Sequence, residues 1–306
     1  MRDALLTGVK GFAMGAANVV PGVSGGTIAV ITGIYERLID ALKNFNVETA
    51  KLFIEKKFSK AAARVDLGFL IALGLGVVLS FITLARVLKW ALVKHESLVM
   101  AFFFGLILAS IYFVGKLVKS WTPAVIALFV SGLCIAASMA FLPPAAENSS
   151  FLYLMLCGAV GMCSMIIPGL SGSFVLLLMG NYGLILESIN RVTSGDLSAI
   201  YEVVLPVGIG AVLGVALLAR FLSWLFKVHH DKAMGLVTGF IAGSLAVIWP
   251  WKDVAETITV GEKVKVVGYD YFIPDFTSSG SLLAIGLMAV GVILMALTEK
   301  LAPASE

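Results

Sequence analysis

An apolar run near the start of the chain is interrupted by Asn18-Val19-Val20-Pro21-Gly22-Val23-Ser24-Gly25-Gly26-Thr27. Proline removes a backbone donor, and the small residues that follow it permit a sharp turn. Broken backbone is costly in hydrocarbon unless protein or a water-filled cavity covers it. A second break, Ile167-Pro168-Gly169-Leu170-Ser171-Gly172-Ser173, lies in the other half of the chain. A single break of this kind is typical of a proline kink, whereas two matching breaks indicate a binding site.

The composition predicts an all-α polytopic membrane protein. Of the 306 residues, 59% are hydrophobic and 13% are charged, and the mean hydropathy is +1.00. Apolar runs of about 18 residues or more recur along the chain, and each is long enough to span a bilayer. The net charge of +3 does not suggest a nucleic-acid partner. The cysteine spacing matches no metal site, and no cofactor motif is present, so neither a metal nor a cofactor is expected.

The two breaks belong to an internal repeat. At an offset of 147 residues the matching pairs are Gly11/Gly158, Pro21/Pro168, Ser24/Ser171, Gly33/Gly180, Tyr35/Tyr182 and Asp40/Glu187. At an offset of 134 residues they are Gly76/Gly210, Arg86/Arg220, Trp90/Trp224, His95/His229, Gly105/Gly239 and Ser110/Ser244. These matches exceed what apolar composition produces by chance. The chain is therefore predicted to contain two repeats, residues 1–142 and 151–306, separated by a polar turn.

Each half is predicted to consist of a re-entrant or broken helical hairpin followed by three transmembrane helices. The hairpins are expected at 3–42 and 151–192, because a straight helix of about 40 residues would be about 60 Å long, twice the hydrocarbon thickness. The spans are expected at 67–90, 98–115 and 122–142 in the first half and at 201–226, 233–250 and 280–299 in the second.

Two segments are predicted to lie outside the hydrocarbon. Residues 43–66 combine basic and apolar side chains, which favours an amphipathic helix at the headgroups, with a solvated linker as the alternative. Residues 255–276 favour a small extracytoplasmic β-hairpin, because 257–260 and 263–266 alternate by two around Gly261-Glu262.

The distribution of basic residues predicts the orientation. A hairpin returns to its own side and three spans do not, so the halves are expected to be inverted, with both termini on one side. That side carries twelve basic residues, namely Arg2, Lys43, Lys51, Lys56, Lys57, Lys60, Arg64, Lys116, Lys119, Lys227, Lys232 and Lys300. The other side carries six, namely Lys89, Lys94, Arg191, Lys252, Lys263 and Lys265. Both termini are therefore predicted to be cytoplasmic in a multi-pass protein of the cytoplasmic membrane, with the two breaks meeting inside it.

The breaks are candidate anion sites, because each opens a new helix with small and hydroxyl residues. The first turn of a helix has unpaired N–H groups and a partial positive charge, and glycine lets an anion approach the backbone. The alternative is that the serines only cap their helices. The candidates at the breaks are Ser24, Gly25, Gly26, Thr27, Ser171, Gly172 and Ser173, with neutral hydrogen-bonding groups nearby on Asn18, Tyr35, Asn181 and Tyr182.

Charged residues inside apolar runs are further candidates. Arg86 and Arg220 occupy equivalent positions, and a charge inside the membrane must face a partner or a cavity. Guanidinium suits phosphate recognition, although snorkelling to the interface is the alternative. Glu36, Asp40 and Glu187 follow the breaks and could take up protons during transport, or else mark helix ends at the interface.

The two motifs, Pro21-Gly22-Val23-Ser24-Gly25-Gly26-Thr27 with Gly33-Ile34-Tyr35-Glu36 and Pro168-Gly169-Leu170-Ser171-Gly172-Ser173 with Gly180-Asn181-Tyr182, resemble a bacterial and archaeal membrane family. This family, formerly a domain of unknown function, is regarded as polyprenyl-phosphate transporters. The resemblance covers nearly the whole chain. It implies flipping of undecaprenyl phosphate, the lipid carrier of peptidoglycan and other envelope polymers, to the cytoplasmic face. The partners would be this lipid and the membrane. The chain contains no nucleotide-hydrolysing motif, so alternating access would be either passive or coupled to H⁺ or Na⁺.

Two other functions compete with this interpretation. Integral-membrane undecaprenyl-diphosphate phosphatases also resemble this pattern, but they carry an arginine directly after the tip serine, where this chain has Gly25 and Gly172. An enzyme is therefore not expected. A transporter or channel for a small inorganic anion stays open, because the preference for a lipid substrate comes from the resemblance.

Overall fold

The computed structural model describes residues 2–20, 23–260 and 263–301. The first half contains α1 (Arg2–Val19), α2 (Gly25–Ile31), α3 (Tyr35–Lys43), α4 (Val47–Ile54), α5 (Phe58–Arg64), α6 (Leu67–Gly115) and α7 (Pro123–Ser138), which a 3₁₀ turn continues to Phe141. The second half contains α8 (Phe151–Ile166), α9 (Gly172–Leu178), α10 (Tyr182–Thr193), a π-helical turn (Ile200–Val204), α11 (Leu205–Val228), α12 (His230–Ser244), β1 (Lys252–Val260), β2 (Lys263–Tyr271) and α13 (Ser279–Leu301).

The fold is that of a multi-pass helical membrane protein. Five stretches of the described helices are long and apolar enough to cross a membrane, namely Leu67–Leu84, Trp90–Gly115, Pro123–Phe141, Ile200–Val228 and Ser279–Leu297. The bent pair α9 and α10 would make a sixth. The predicted span 233–250 is wrong in its second part, because α12 ends at Ser244 after only 15 residues.

The second arm of each hairpin is broken once more, into α2 and α3 in the first half and α9 and α10 in the second. The break between α2 and α3 contains Gly33 at φ +68°, and the break between α9 and α10 contains Gly180 at φ +76°. Glycine adopts this left-handed conformation without steric cost, so the helix can end and restart in a new direction. The turn between α9 and α10 reaches 109°. The two glycines are equivalent positions of the repeat.

A second matching corner follows in each half. The predicted interruption between the spans 67–90 and 98–115 is confirmed as a sharp corner at His95 (φ −144°, ψ 47°) within α6, without a loop. His229, between α11 and α12, has nearly the same angles (φ −137°, ψ 53°). Each histidine ring packs edge-on against a tryptophan five residues earlier, at 5.9 Å from Trp90 and 6.0 Å from Trp224.

The two halves interlock. In each half the first hairpin helix packs on the first long span, α1 on α6 and α8 on α11, whereas α7 packs on α12 and α13 packs on the second part of α6. A Cβ at Gly105 would collide with the Met288 carbonyl of α13, and one at Gly239 would collide with the Phe129 carbonyl of α7. The last span of each half, α7 or α13, thus packs against a helix of the other half. The inversion of the halves across a membrane stays a prediction.

The two segments predicted to lie outside the spans form a β-hairpin and a pair of short helices. β1 and β2 pair antiparallel from Lys252 with Tyr271 to Val260 with Lys263, which confirms the β-hairpin and extends its first strand back to residue 252. The predicted turn residues 261–262 lie outside the described residues. The linker 43–66 forms α4 and α5, with Ile54 exposed by 82%. Its contact with headgroups stays a prediction.

Candidate functional site

The two sequence breaks meet at the centre of the molecule. We call residues 18–27 the first tip and residues 167–173 the second tip; residues 21 and 22 lie outside the described residues. The Thr27 hydroxyl accepts a hydrogen bond of 2.8 Å from the Gly169 N–H, and the Ser24 hydroxyl lies 3.5 Å from the Ile167 carbonyl oxygen. A Cβ at Gly26 would lie 2.7 Å from the Ile166 carbonyl. The approach of the tips to each other is confirmed, and their depth in a membrane stays a prediction.

The first tip is closed, in the sense that the N–H groups at the start of α2 are bonded to acceptors within the tip itself. The Gly25 N–H donates to the Asn18 side-chain oxygen at 2.8 Å, and the Gly26 N–H donates to the Ser24 hydroxyl at 3.2 Å. The Thr27 N–H donates to the Ser24 carbonyl at 3.0 Å. Ser24 therefore caps α2, which was the alternative to anion contact. Because these three donors are paired and both hydroxyl side chains are buried, a ligand has no access to them in this conformation.

The second tip is open. Its N-cap residue Ser171 is partly exposed and Ser173 is exposed, and their hydroxyl oxygens lie 3.1 Å apart. The side chain of Ser171 makes no capping bond to α9, so the alternative that this serine only caps its helix is wrong. Gly172 between them packs against Met165 and the Gly161 carbonyl of α8. The second tip thus presents two neighbouring hydroxyl groups, which can donate to an anionic oxygen.

The neutral hydrogen-bonding candidates lie in different surroundings. Asn181 is fully buried and holds the linker between the halves, with its amide donating to the Asn148 carbonyl at 2.7 Å and accepting from the Asn148 N–H at 3.0 Å. Tyr35 is 3% exposed and packs edge-on against Phe226 at 5.7 Å, with no described hydrogen-bond partner for its hydroxyl. Tyr182, its equivalent, is partly exposed. Asn181 therefore has an evident structural role.

The two arginines lie away from the tips' hydrogen bonds. Arg86 on α6 and Arg220 on α11 are both exposed. Within residues 2–20, 23–260 and 263–301, neither guanidinium has a hydrogen bond, an ion pair or a ring contact. The structure does not bring them together with the tip residues, and their role as a phosphate clamp stays a prediction.

The acidic candidates of the first half join α3 to the second half. Asp40 accepts a hydrogen bond of 2.6 Å from Ser223 of α11, and Lys227 lies 3.3 Å from the same carboxylate oxygen. Glu36 lies 3.3 Å from the His230 ring nitrogen at the start of α12. Glu187, the equivalent of Asp40, is exposed on α10. Their part in proton coupling stays a prediction.

One charged residue of the first hairpin was missed. The Lys10 ammonium of α1 donates a hydrogen bond of 2.7 Å to the Thr32 carbonyl at the end of α2, where the helix dipole is negative. In the second half the Tyr153 hydroxyl donates to the Met179 carbonyl at 2.8 Å, which is the equivalent position. The signal in the sequence was a lone lysine inside an apolar helix.

The helices long and apolar enough to cross a membrane define the class, a multi-pass helical membrane protein, and the two sequence breaks are in contact within it. The chain matches the family described as VCA0040-like, undecaprenyl phosphate translocase-like, over residues 14–265, and it belongs to that family.

Two curated relatives carry the same name, polyprenyl-phosphate transporter. The protein of Vibrio cholerae serotype O1 is 34% identical over 305 residues, which cover 97% of this chain and 97% of the relative. The protein of Staphylococcus aureus is 28% identical over 254 residues, which cover 79% of this chain and 85% of the relative. No solved structure matches the chain significantly.

Proposed function

We propose that this protein is a flippase that returns undecaprenyl phosphate, or another polyprenyl phosphate, to the cytoplasmic leaflet for reuse as a lipid carrier. The observation that carries the proposal is the contact of the two tips, where a closed first tip meets the open Ser171 and Ser173 hydroxyl pair. The name of the two relatives supports the substrate class, and it also argues against an enzymatic function.

The substrate chemistry fits this arrangement. A polyprenyl phosphate combines an anionic headgroup with a long apolar tail, so only the headgroup needs shelter from hydrocarbon. Hydroxyl and backbone donors at the second tip would bind the phosphate oxygens, and Arg86 and Arg220 would neutralise its charge. The tail would remain in lipid, against the exposed apolar faces of the long helices.

The proposed orientation follows from the basic residues. Both termini lie in the cytoplasm of a multi-pass protein of the cytoplasmic membrane, the first hairpin enters from that side, and the second enters from outside. The contacts are compatible with one common face, because the N-terminal Asp3 lies 3.4 Å from Arg37, and Asp231 accepts hydrogen bonds from the Lys119 and Ser120 N–H groups. Inverted halves can exchange conformations, which opens the site to each leaflet in turn.

The proposal is tested by a leaflet-accessibility assay with the purified protein in proteoliposomes. Fluorescent polyprenyl phosphate is placed in one leaflet, and its exposure to a membrane-impermeant quencher is followed with and without a proton or sodium gradient. Movement of the lipid that exceeds protein-free vesicles is expected, and acceleration by one gradient would identify the coupling ion.

Three controls separate the proposal from its competitors. Release of inorganic phosphate from polyprenyl diphosphate would support a phosphatase. Uptake of inorganic phosphate without movement of the lipid would support a small-anion transporter. Movement of a neutral phospholipid at the same rate would contradict recognition of the phosphate headgroup.

A further inference from the structure

The segment between the first hairpin and the first long span has an outward side that the described residues leave exposed. It consists of α4 and α5, which pack on each other, and α5 also packs on α6. Its inner side is buried, with Thr49 exposed by only 4% and Ala61 and Val65 by 0% and 3%. The two helices are therefore held on the molecule by one side and turn the other side outward.

An apolar stripe runs along the outward side of α4. Val47, Ala50 and Ile54 follow one another at spacings of three and four residues, which places them on one face of the helix. All three are exposed, and the exposed fraction is 82% for both Val47 and Ile54. An amphipathic helix of a soluble protein turns its apolar stripe toward the core, and here the polar Thr49 takes the buried position. The orientation of α4 is therefore matched to an apolar environment outside the chain.

Two aromatic residues extend this stripe to the start of α5. Phe53 and Phe58 pack edge-on with their ring centroids 5.8 Å apart, and both side chains are exposed. Exposed apolar side chains that lie together, rather than singly, mark an interaction surface. We call Val47, Ala50, Phe53, Ile54 and Phe58 the linker face.

Free positive charges accompany the linker face. The acidic residues of residues 43–66 are each paired, namely Glu48 with Arg64, Glu55 with Lys57 and Asp66 with Arg37. Lys51, Lys56 and Lys60 are exposed, and their ammonium groups have no ion pair or hydrogen bond in the part of the chain that the structure describes. Lys51 lies four residues after Val47 and so belongs to the outward side of α4. The same surface thus offers apolar side chains and three cations.

The linker face lies next to the end of a membrane span. α5 ends at Arg64, and the apolar stretch Leu67–Leu84 begins three residues later. Even an extended chain covers only about 10 Å over three residues, so α5 stays close to the level at which this span leaves the membrane. α4 is tied to α5 by the ion pair of Glu48 with Arg64. The surface nearest to the linker face is therefore that of the bilayer.

We propose that the linker face docks on the bilayer surface and that its partner there is anionic phospholipid. The apolar side chains enter the boundary between headgroups and acyl chains, and Lys51, Lys56 and Lys60 meet the lipid phosphates. A zwitterionic surface supplies the same apolar boundary but attracts the three lysines less. The outward stripe of α4 favours this docking over the solvated linker that the sequence left open. The inference does not depend on the proposed transport function.

Quenching of a fluorescent label tests the docking in the full-length protein. The starting variant has serine in place of Cys134, Cys157 and Cys163. Ile54→Cys then carries an environment-sensitive fluorophore on the stripe, and Val47→Cys samples the same stripe where the first variant folds poorly. The control label is Ser149→Cys, in the exposed polar turn between the halves. Each protein is placed in nanodiscs of phosphatidylcholine, with or without phosphatidylglycerol, and lipids brominated on their acyl chains are the quencher.

The label on the stripe is expected to be quenched more strongly than the Ser149 label, and more strongly with phosphatidylglycerol than without it. The triple variant Lys51→Gln/Lys56→Gln/Lys60→Gln should lose the part of the quenching that phosphatidylglycerol adds. High salt should have the same effect, because it screens exposed charges. The melting temperature should be unchanged by the triple variant, since these lysines have no described partner to lose.

A matched triple variant separates the local site from the total charge. Lys116→Gln/Lys119→Gln/Lys232→Gln removes the same charge outside the linker, and it should leave the quenching unchanged. Equal losses in the two triple variants, or equal quenching in the two lipid mixtures, would overturn anionic phospholipid as the partner.

Two further results would overturn the docking itself. One is equal quenching of the labels on the stripe and at Ser149, which is expected of a solvated linker. The other is a label that is shielded from water only when a disc holds two protein copies, without quenching by brominated lipid. That result would assign the linker face to contact with a second copy of the chain.

Discussion

The Thr27 hydroxyl accepts the Gly169 N–H at 2.8 Å, and this buried bond joins the first tip to the second across 142 residues of sequence. Thr27 is fully buried. A buried N–H that loses its acceptor costs the desolvation free energy of the group, so this contact specifies how the two halves meet.

Replacement of Thr27 by valine keeps the side-chain shape and leaves the Gly169 N–H without an acceptor. The free energy of unfolding should fall by about 1–3 kcal/mol, and Thr27→Ser should restore most of it. The thermal unfolding of both variants in lipid–detergent micelles measures this. Thr83→Val is the control, because its hydroxyl bonds the Leu79 and Ser80 carbonyls of its own helix. Equal shifts for Thr27→Val and Thr83→Val would refute the tip contact.

Two equivalent glycines should tolerate no side chain. A Cβ at Gly76 would collide with the Gly8 carbonyl of α1, and one at Gly210 would collide with the Met155 carbonyl of α8. Gly76→Ala and Gly210→Ala should each lower the free energy of unfolding by about 1–3 kcal/mol, because backbone has to move apart. Thermal unfolding of the two variants in micelles tests this.

The chain offers matched controls two residues earlier in each helix. A Cβ at Gly74 or Gly208 would meet nothing within 4 Å. Gly74→Ala and Gly208→Ala should leave stability unchanged or raise it by up to about 1 kcal/mol, because alanine favours helix. If the control pair and the Gly76 and Gly210 pair behave alike, the packing of the hairpins on the long spans is not as described.

The Asp66 carboxylate, at the end of the linker, should make stability depend on pH. It accepts a hydrogen bond of 2.6 Å from the Arg37 guanidinium, which lowers the pKa of Asp66 below its ordinary value. A carboxylate with a lowered folded pKa stabilises the protein above its unfolded pKa of about 3.9, and this contribution is lost as the pH falls through the folded pKa.

Comparison of the wild type with Asp66→Asn tests this sign. The difference in melting temperature between them should be largest near neutral pH and should shrink on acidification below about pH 4. Because both side chains are more than a third exposed, salt should also reduce it. A difference that grows on acidification would contradict the assignment.

The arginines should affect transport rather than stability. Arg86 and Arg220 are exposed, so Arg86→Ala and Arg220→Ala should leave the melting temperature unchanged and abolish lipid movement if they bind phosphate. Arg86→Lys keeps the charge without the planar fork and should retain only part of the rate. Full transport by both alanine variants would remove the arginines from the substrate path.

The repeat and the two tips could be predicted from the sequence, because Pro21 and Pro168 with their small neighbours stand out against apolar helices. The pairing of β1 with β2 could also be predicted, because apolar and polar residues alternate by two on both sides of residues 261–262. Each break and the hairpin can be recognised within a short stretch of sequence, because the conformational preferences of neighbouring residues determine them.

Other features depend on tertiary contacts and left weak signals. Gly33 and Gly180 end helices only because their left-handed conformations fit the fold, and an isolated glycine in an apolar run is otherwise tolerated. The corner at His95 uses a residue with no strong turn preference. The docking of α3 on α11 joins Asp40 to Ser223, which are 183 residues apart in the sequence. No local sequence pattern predicts this contact.

The most direct test of the central claim is the rate of leaflet exchange of polyprenyl phosphate by Ser171→Ala/Ser173→Ala in proteoliposomes. Loss of two hydroxyl donors to a charged headgroup should slow exchange by about tenfold or more, with the melting temperature unchanged. Ser131→Ala/Ser138→Ala is the control, because those hydroxyls bond the Leu128 and Ile135 carbonyls within α7. A rate equal to that of the wild type would contradict the account.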